Sequence, residues 1–144
     1  MCRRFGQVLA RRQSKSLENI LITQPDNSYA HALLAIWNME VLQRGGRIGA
    51  RIMGASSRAG LMHYESAAER LPDDGALHWQ WARVLAATNA RKYRKNIDAA
   101  LHASISATTN DALEHAMQAR AKKFMQDMET LNTREIEALA KSML

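Results

Sequence analysis

Apolar residues recur along this chain at steps of three and four. Tyr93, Ile97, Ala100, Leu101 and Ile105 form one such series, and Leu113, Met117, Phe124, Met128 and Leu131 form another, with the small Ala121 filling its gap. That spacing places each series on one side of an α-helix, able to bury against a neighbour. Valine occurs only at Val8, Val41 and Val84, and no run of alternating β-branched residues predicts a strand. The two prolines are punctuation. They sit in Gln24-Pro25-Asp26-Asn27 and Leu71-Pro72-Asp73-Asp74, each a stop followed by side chains able to cap the next helix. Asp111 with Glu114, and Asn132 with Glu135, have the spacing of an N-cap and a residue reaching back to it. Together these signals predict seven helices, over about 2–23, 28–43, 48–70, 75–88, 91–107, 110–130 and 133–143. Short connections between them favour antiparallel neighbours.

The punctuation also repeats. A shift of 47 carries Pro25 onto Pro72, Asp26 onto Asp73, His31 onto His78, Leu34 onto Trp81 and Ala35 onto Ala82; upstream, Leu17 falls on Tyr64 and Glu18 on Glu65. The repeated unit is a helix end, a Pro-Asp turn, and a helix with a bulky–small pattern. His31-x2-Leu34-Ala35-x2-Asn38, His78-x2-Trp81-Ala82-x2-Leu85, and Gly60-x3-Tyr64 with Ala67 ahead of Pro72 occupy slots similar to those of the tetratricopeptide repeat, whose signature pairs bulky and small residues on two helices. The sequence departs from that family in three ways. Its period of 47 exceeds the usual length of about 34, with the excess around Val41–Met53; His stands where the large aromatic is usual; and no third Pro-Asp turn follows. The resemblance covers about residues 17–85. It implies an all-α fold of antiparallel helix pairs forming a short tetratricopeptide-like α-solenoid with C-terminal capping helices. The chain is then one domain, 1–144, with units of about 1–72 and 73–108 and a helical cap over 109–144. It further implies a concave face for partners and no catalysis.

Composition narrows the field. The 144 residues fit one domain, and a single cysteine, Cys2, excludes an internal disulfide and a multi-Cys zinc site. No apolar run reaches the length of a membrane span. The opening residues, Met1 to Arg12, are too short and too charged in their apolar stretch for a signal-peptide core. The chain as it stands is therefore expected in the cytoplasm, and in the periplasm if a leader precedes this start. Lys+Arg 20 against Asp+Glu 14 gives a net charge of +6. The basic clusters are Arg3, Arg4, Arg11, Arg12, Lys15; Arg44, Arg47, Arg51; Arg91, Lys92, Arg94, Lys95; and Arg120, Lys122, Lys123.

No nucleophile–base arrangement, nucleotide-binding loop or metal-ligand spacing is present, so neither catalysis nor a cofactor or metal is expected. The five histidines lack the i, i+4 pairing of a helical metal site. Gly45–Ser57 is the most unusual stretch. It reads as a helix–helix turn at Gly45-Gly46 followed by small residues at close packing, or alternatively as an anion site beside Arg44, Arg47 and Arg51. Trp81 fills a core slot of the repeat, and Trp79, two residues earlier, faces elsewhere, towards packing or a partner. The expected binding face is lined by the first helices, with His31, Asn38, His78, Trp79 and Arg83, and with Arg47 and Arg51 at its rim. Such a face suits an acidic protein segment, an extended peptide or a C-terminal carboxylate. Two rival readings stand beside it. One is a basic nucleic-acid or anionic-surface binder, although scarce aromatics (6%) and no known module argue against specific nucleic-acid recognition. The other is a small-ligand component of a transport system. Self-association is a further way to complete the core of so short an array.

Overall fold

Each Pro-Asp segment stops one helix and starts the next, and the whole chain is organised around these two points. The computed structural model describes residues 2–144, with side chains from Gly6 onward. It contains seven helices: α1 (Cys2–Thr23), α2 (Ser28–Met53), α3 (Ser57–Arg70), α4 (Gly75–Asn89), α5 (Arg94–Ser106), α6 (Ala112–Thr130) and α7 (Thr133–Ser142). No strand occurs among the described residues. Five helix starts carry side-chain caps: Ser56 caps α3, and four others are capped by Asn or Asp. Asn27, Asp74, Asp111 and Asn132 accept from the amides of Ala30, Leu77, Glu114 and Glu135 at 2.8–3.0 Å, and Glu135 returns the bond to Asn132 to complete a capping box. Each such cap stabilises its helix by about 1 kcal/mol. The chain divides into two compact units, Met1–Arg70 and Leu71–Leu144.

In the first unit, α2 packs on both α1 and α3. The pairing with α3 is antiparallel, since His31 meets His63, Ala35 meets Gly60, and Asn38 meets Ser56. The break expected at Gly45-Gly46 is present, but the helix–helix reversal expected there is corrected. α2 runs on to Met53, with only a break at Gly46 (φ 61, ψ −167), a conformation open to glycine and strained for other residues. The chain reverses at Gly54–Ser56 instead. Gly54 adopts φ 75 and donates to Arg51 at 3.3 Å, while Ala55 donates to Ala50 at 2.8 Å; this is the glycine-terminated helix end that satisfies the last carbonyls. Ser56 Oγ then accepts from the Ala59 amide at 3.0 Å, and Asn38 Oδ1 accepts from the Ser56 amide at 2.9 Å. A glycine stop followed by a serine cap prevails over two glycines without a cap.

In the second unit, α4 is the centre and packs on α5, α6 and α7. Leu77, His78, Trp79, Trp81, Ala82, Val84, Leu85, Ala86 and Ala87 are all buried, so α4 has almost no free face. α5 contributes Ile97, Ala100 and Leu101; α6 contributes Ala121, Phe124 and Met128; α7 contributes Ile136 and Ala140. The expected stripe of α6 is shorter than its spacing suggests, because Leu113 is 63% exposed.

The 47-residue correspondence extends to individual bonds. Asn27 N–H donates to Gln24 at 3.0 Å, as Asp74 N–H does to Leu71 at 3.2 Å. His31 Nε2 bonds the Pro25 carbonyl at 2.9 Å, as His78 Nε2 bonds that of Pro72 at 2.9 Å. Asp26 pairs with Arg70 at the end of α3, and Asp73 accepts from the Thr108 amide just past α5 at 2.9 Å. Each turn aspartate thus fastens the start of one helix to the end of its antiparallel partner.

Candidate functional site

An open cleft lies inside the first unit, between α1 and the far half of α2. Trp37 Nε1–H donates to the Ala10 carbonyl at 3.0 Å and pins α1 to α2 at one point. Beyond that point the break at Gly46 redirects α2, and the Arg11 guanidinium bonds the Ile52 carbonyl. Between these two ties is a cleft of about 770 Å³. Its apolar lining includes Leu9, Ala10, Trp37, Val41 and Met53, with Glu40 and Arg44 among the polar side chains. Large apolar residues continue onto the surface of the same two segments: Val8 is 55% exposed, Leu9 54%, Ile48 78% and Ile52 62%.

The charge is distributed unevenly. Residues 1–70 hold ten basic and five acidic side chains, whereas residues 71–144 hold ten and nine. Five of the six excess positive charges therefore belong to the unit with the cleft. Among the described residues, Arg12, Lys15, Arg44, Arg47 and Arg51 are exposed and no carboxylate pairs with any of them. Cys2, and Arg3 and Arg4 of the first basic cluster, lie outside the described side chains.

The expected site residues are dispersed. Asn38 is buried, donating to Leu34 O at 2.8 Å and holding the α2–α3 turn through Ser56. His78 is buried and bonds Pro72. Trp79 is buried with its ring edge-on to Phe124, centroids 5.7 Å apart. Arg83 is half-buried and bonds the Met143 carbonyl and Gln80 Oε1. These four positions hold helices together and do not line a surface. Arg47 and Arg51 are exposed, as a rim requires. His31 is half-buried and engaged on both ring nitrogens. Leu9, Trp37 and Val41, which build the cleft, are missing from the expected face. The signal for Leu9 is the apolar content of α1, whose partner face the sequence leaves undefined; Trp37 and Val41 lie on α2 and carry no signal of a cleft in their spacing.

His31 also forms a contact that the histidine spacing does not reveal, because its partner, His63, is 32 positions away on α3. The two Nδ1 atoms are 2.8 Å apart. The Pro25 carbonyl can only accept, so His31 Nε2 carries a proton; in that neutral tautomer His31 Nδ1 accepts from His63 Nδ1–H. Burial, and secondarily the neighbouring His31, lowers the His63 pKa from its ordinary 6.5. The folded state therefore binds that proton less readily than the unfolded chain. Stability in this unit is full above about pH 6.5 and falls as the pH drops through the lowered value. Thermal melts at about pH 7.5 and about pH 5 should show this loss in the wild type and a flatter profile in His63→Gln, whose amide can donate to His31 without titrating. Equal slopes in the two proteins would show that the pair does not govern the acid response. Burial also pushes the Tyr64 hydroxyl up to about 12, which keeps it neutral.

Among the described residues, no three His, Cys, Asp or Glu side chains gather as metal ligands. No helix is long and apolar enough to cross a membrane. Comparison with family models, curated proteins and solved structures gives no match.

Proposed function

We propose that the protein is a helical interaction module, similar in design to tetratricopeptide repeats, that binds an acidic segment of another protein on its first unit. One observation carries this reading: the apolar cleft between α1 and α2 lies in the unit that holds five of the six excess positive charges. Apolar surface supplies affinity, and an unneutralised basic rim steers an oppositely charged partner and fixes its register. A nucleic acid would meet the same charges but, among the described residues, only one aromatic ring in the lining, Trp37, whose indole N–H is already used.

The test is a nuclease-treated pull-down with a graded salt wash, run beside the triple variant Arg44→Glu/Arg47→Glu/Arg51→Glu. A protein that survives moderate salt, is lost in the variant, and crosslinks to residues 1–70 is the expected result. Retention of nucleic acid alone, or of proteins indifferent to the three substitutions, would overturn the proposal.

A further inference from the structure

We infer that the cleft takes its partner as an acidic amphipathic α-helix rather than as an extended peptide. The inference rests on the reading that the first unit binds an acidic protein segment. The argument concerns the backbone. An extended segment entering an apolar cleft needs a hydrogen-bond partner for each buried amide and carbonyl. Sheet-edge receptors supply those partners from their own main chain. Here both walls are helices, α1 and α2, whose main-chain groups bond within each helix except around the single break at Gly46. Among the described residues, the only side-chain amides in the lining are those of Gln7 and Gln13. A segment that satisfies its own backbone, a helix, meets no such deficit.

The side-chain chemistry fits the same occupant. The lining offers Leu9, Ala10, Val41 and Met53 to an apolar stripe, and Arg44 stands beside it to meet carboxylates. An anionic membrane is too broad a surface to enter a space between two helices. A second copy of this chain would bring its own excess of five positive charges to the contact, so like charge opposes that occupant. The second unit shows how this chain covers a helix of the repeat: α4, equivalent to α2, is covered by the further helices α6 and α7.

The experiment uses the full chain and three acidic peptides of about 18 residues, long enough to sustain helix. One carries Leu at i, i+3, i+4 and i+7 with Glu between; the second has the same composition with the leucines scattered around the helix; the third is the first with a central proline. Fluorescence anisotropy should show the phased peptide binding at least about tenfold more tightly than either control. That preference should be lost in Leu9→Glu and in Arg44→Glu, both at exposed positions where the fold tolerates a polar side chain. Equal binding of all three peptides, sensitive to Arg44→Glu, would overturn the helical occupant while leaving the acidic-partner reading in place. No binding of any peptide, together with binding of single-stranded RNA or of phosphatidylserine vesicles, would overturn both. A concentration-dependent dimer abolished by Leu9→Glu, with no peptide binding, would assign the cleft to a second copy and overturn the inference.

Discussion

Trp81→Ala is expected to destabilise the second unit by about 3–5 kcal/mol, the range for removing a large aromatic from a core. Trp81 is the largest of the fully buried side chains, at the centre of a helix that is buried on nearly every side. Its neighbours cannot close the gap without moving α5, α6 or α7, because α4 packs on all three. The loss is a large fraction of the roughly 5–15 kcal/mol that holds an ordinary domain folded. The equivalent substitution in the first unit, Leu34→Ala, removes fewer atoms from an equally buried site and should cost about 2–5 kcal/mol. Urea unfolding followed by circular dichroism measures both effects, and hydrogen exchange at α4 and α2 amides assigns each to its unit. A loss below about 1 kcal/mol for Trp81→Ala would contradict a close-packed site.

Gly60→Leu is the second large effect, and it works by the opposite route. Gly60 lies where α3 approaches α2 most closely. A Cβ placed there meets Met39 Sδ at 3.2 Å, Met39 Cγ at 3.3 Å and the Ala35 carbonyl at 3.4 Å. Alanine at this position gains about 0.8–1.0 kcal/mol of helix propensity. It needs only a slight shift of the flexible Met39 thioether, so Gly60→Ala should stay within about 1 kcal/mol of wild type. Leucine has the same propensity gain but must place a branched side chain where Met39 and the α2 backbone already are. Overpacking of this kind costs about 1–3 kcal/mol, and the net effect should be a loss of up to about 2 kcal/mol. Thermal melts of the glycine, alanine and leucine forms give the comparison. A leucine variant as stable as the alanine one would mean that the two helices separate freely at this point.

Helix content and most helix ends are legible in the sequence because they depend on local chemistry. The two Pro-Asp turns and the caps at Asp111 and Asn132 each act within four residues, and each appears in the structure where the sequence places it. The reversal after α2 is less legible, because Gly45-Gly46 and Gly54-Ala55-Ser56 both look like turns. The choice between them depends on Asn38, which reaches 18 residues forward to hold the Ser56 amide. Burial of Asn38 is not readable from periodicity for the same reason, and periodicity leaves His78 and Trp79 open between packing and a partner surface. A polar or amphipathic side chain on a helix reads as a surface residue until its partner is known, and the partners here are a backbone amide, a proline carbonyl and a phenylalanine on α6. The cleft was hidden because it is formed by the divergence of two helices, and apolar spacing along one helix carries no information about divergence.

The break at Gly46 also makes the far half of α2 a lever arm. From Gly46 to Met53 the helix extends about 10 Å at 1.5 Å per residue. A rotation of about 15° at that one residue displaces the Met53 end by nearly 3 Å by lever-arm geometry, about half the pitch of a helical turn. The width of the space facing α1 is therefore set largely by two backbone torsions of a single glycine, with the Arg11 bond to Ile52 acting as a stay at the far end. Replacing Gly46 by any residue with a β-carbon would change the gauge of that opening without touching a side chain that lines it.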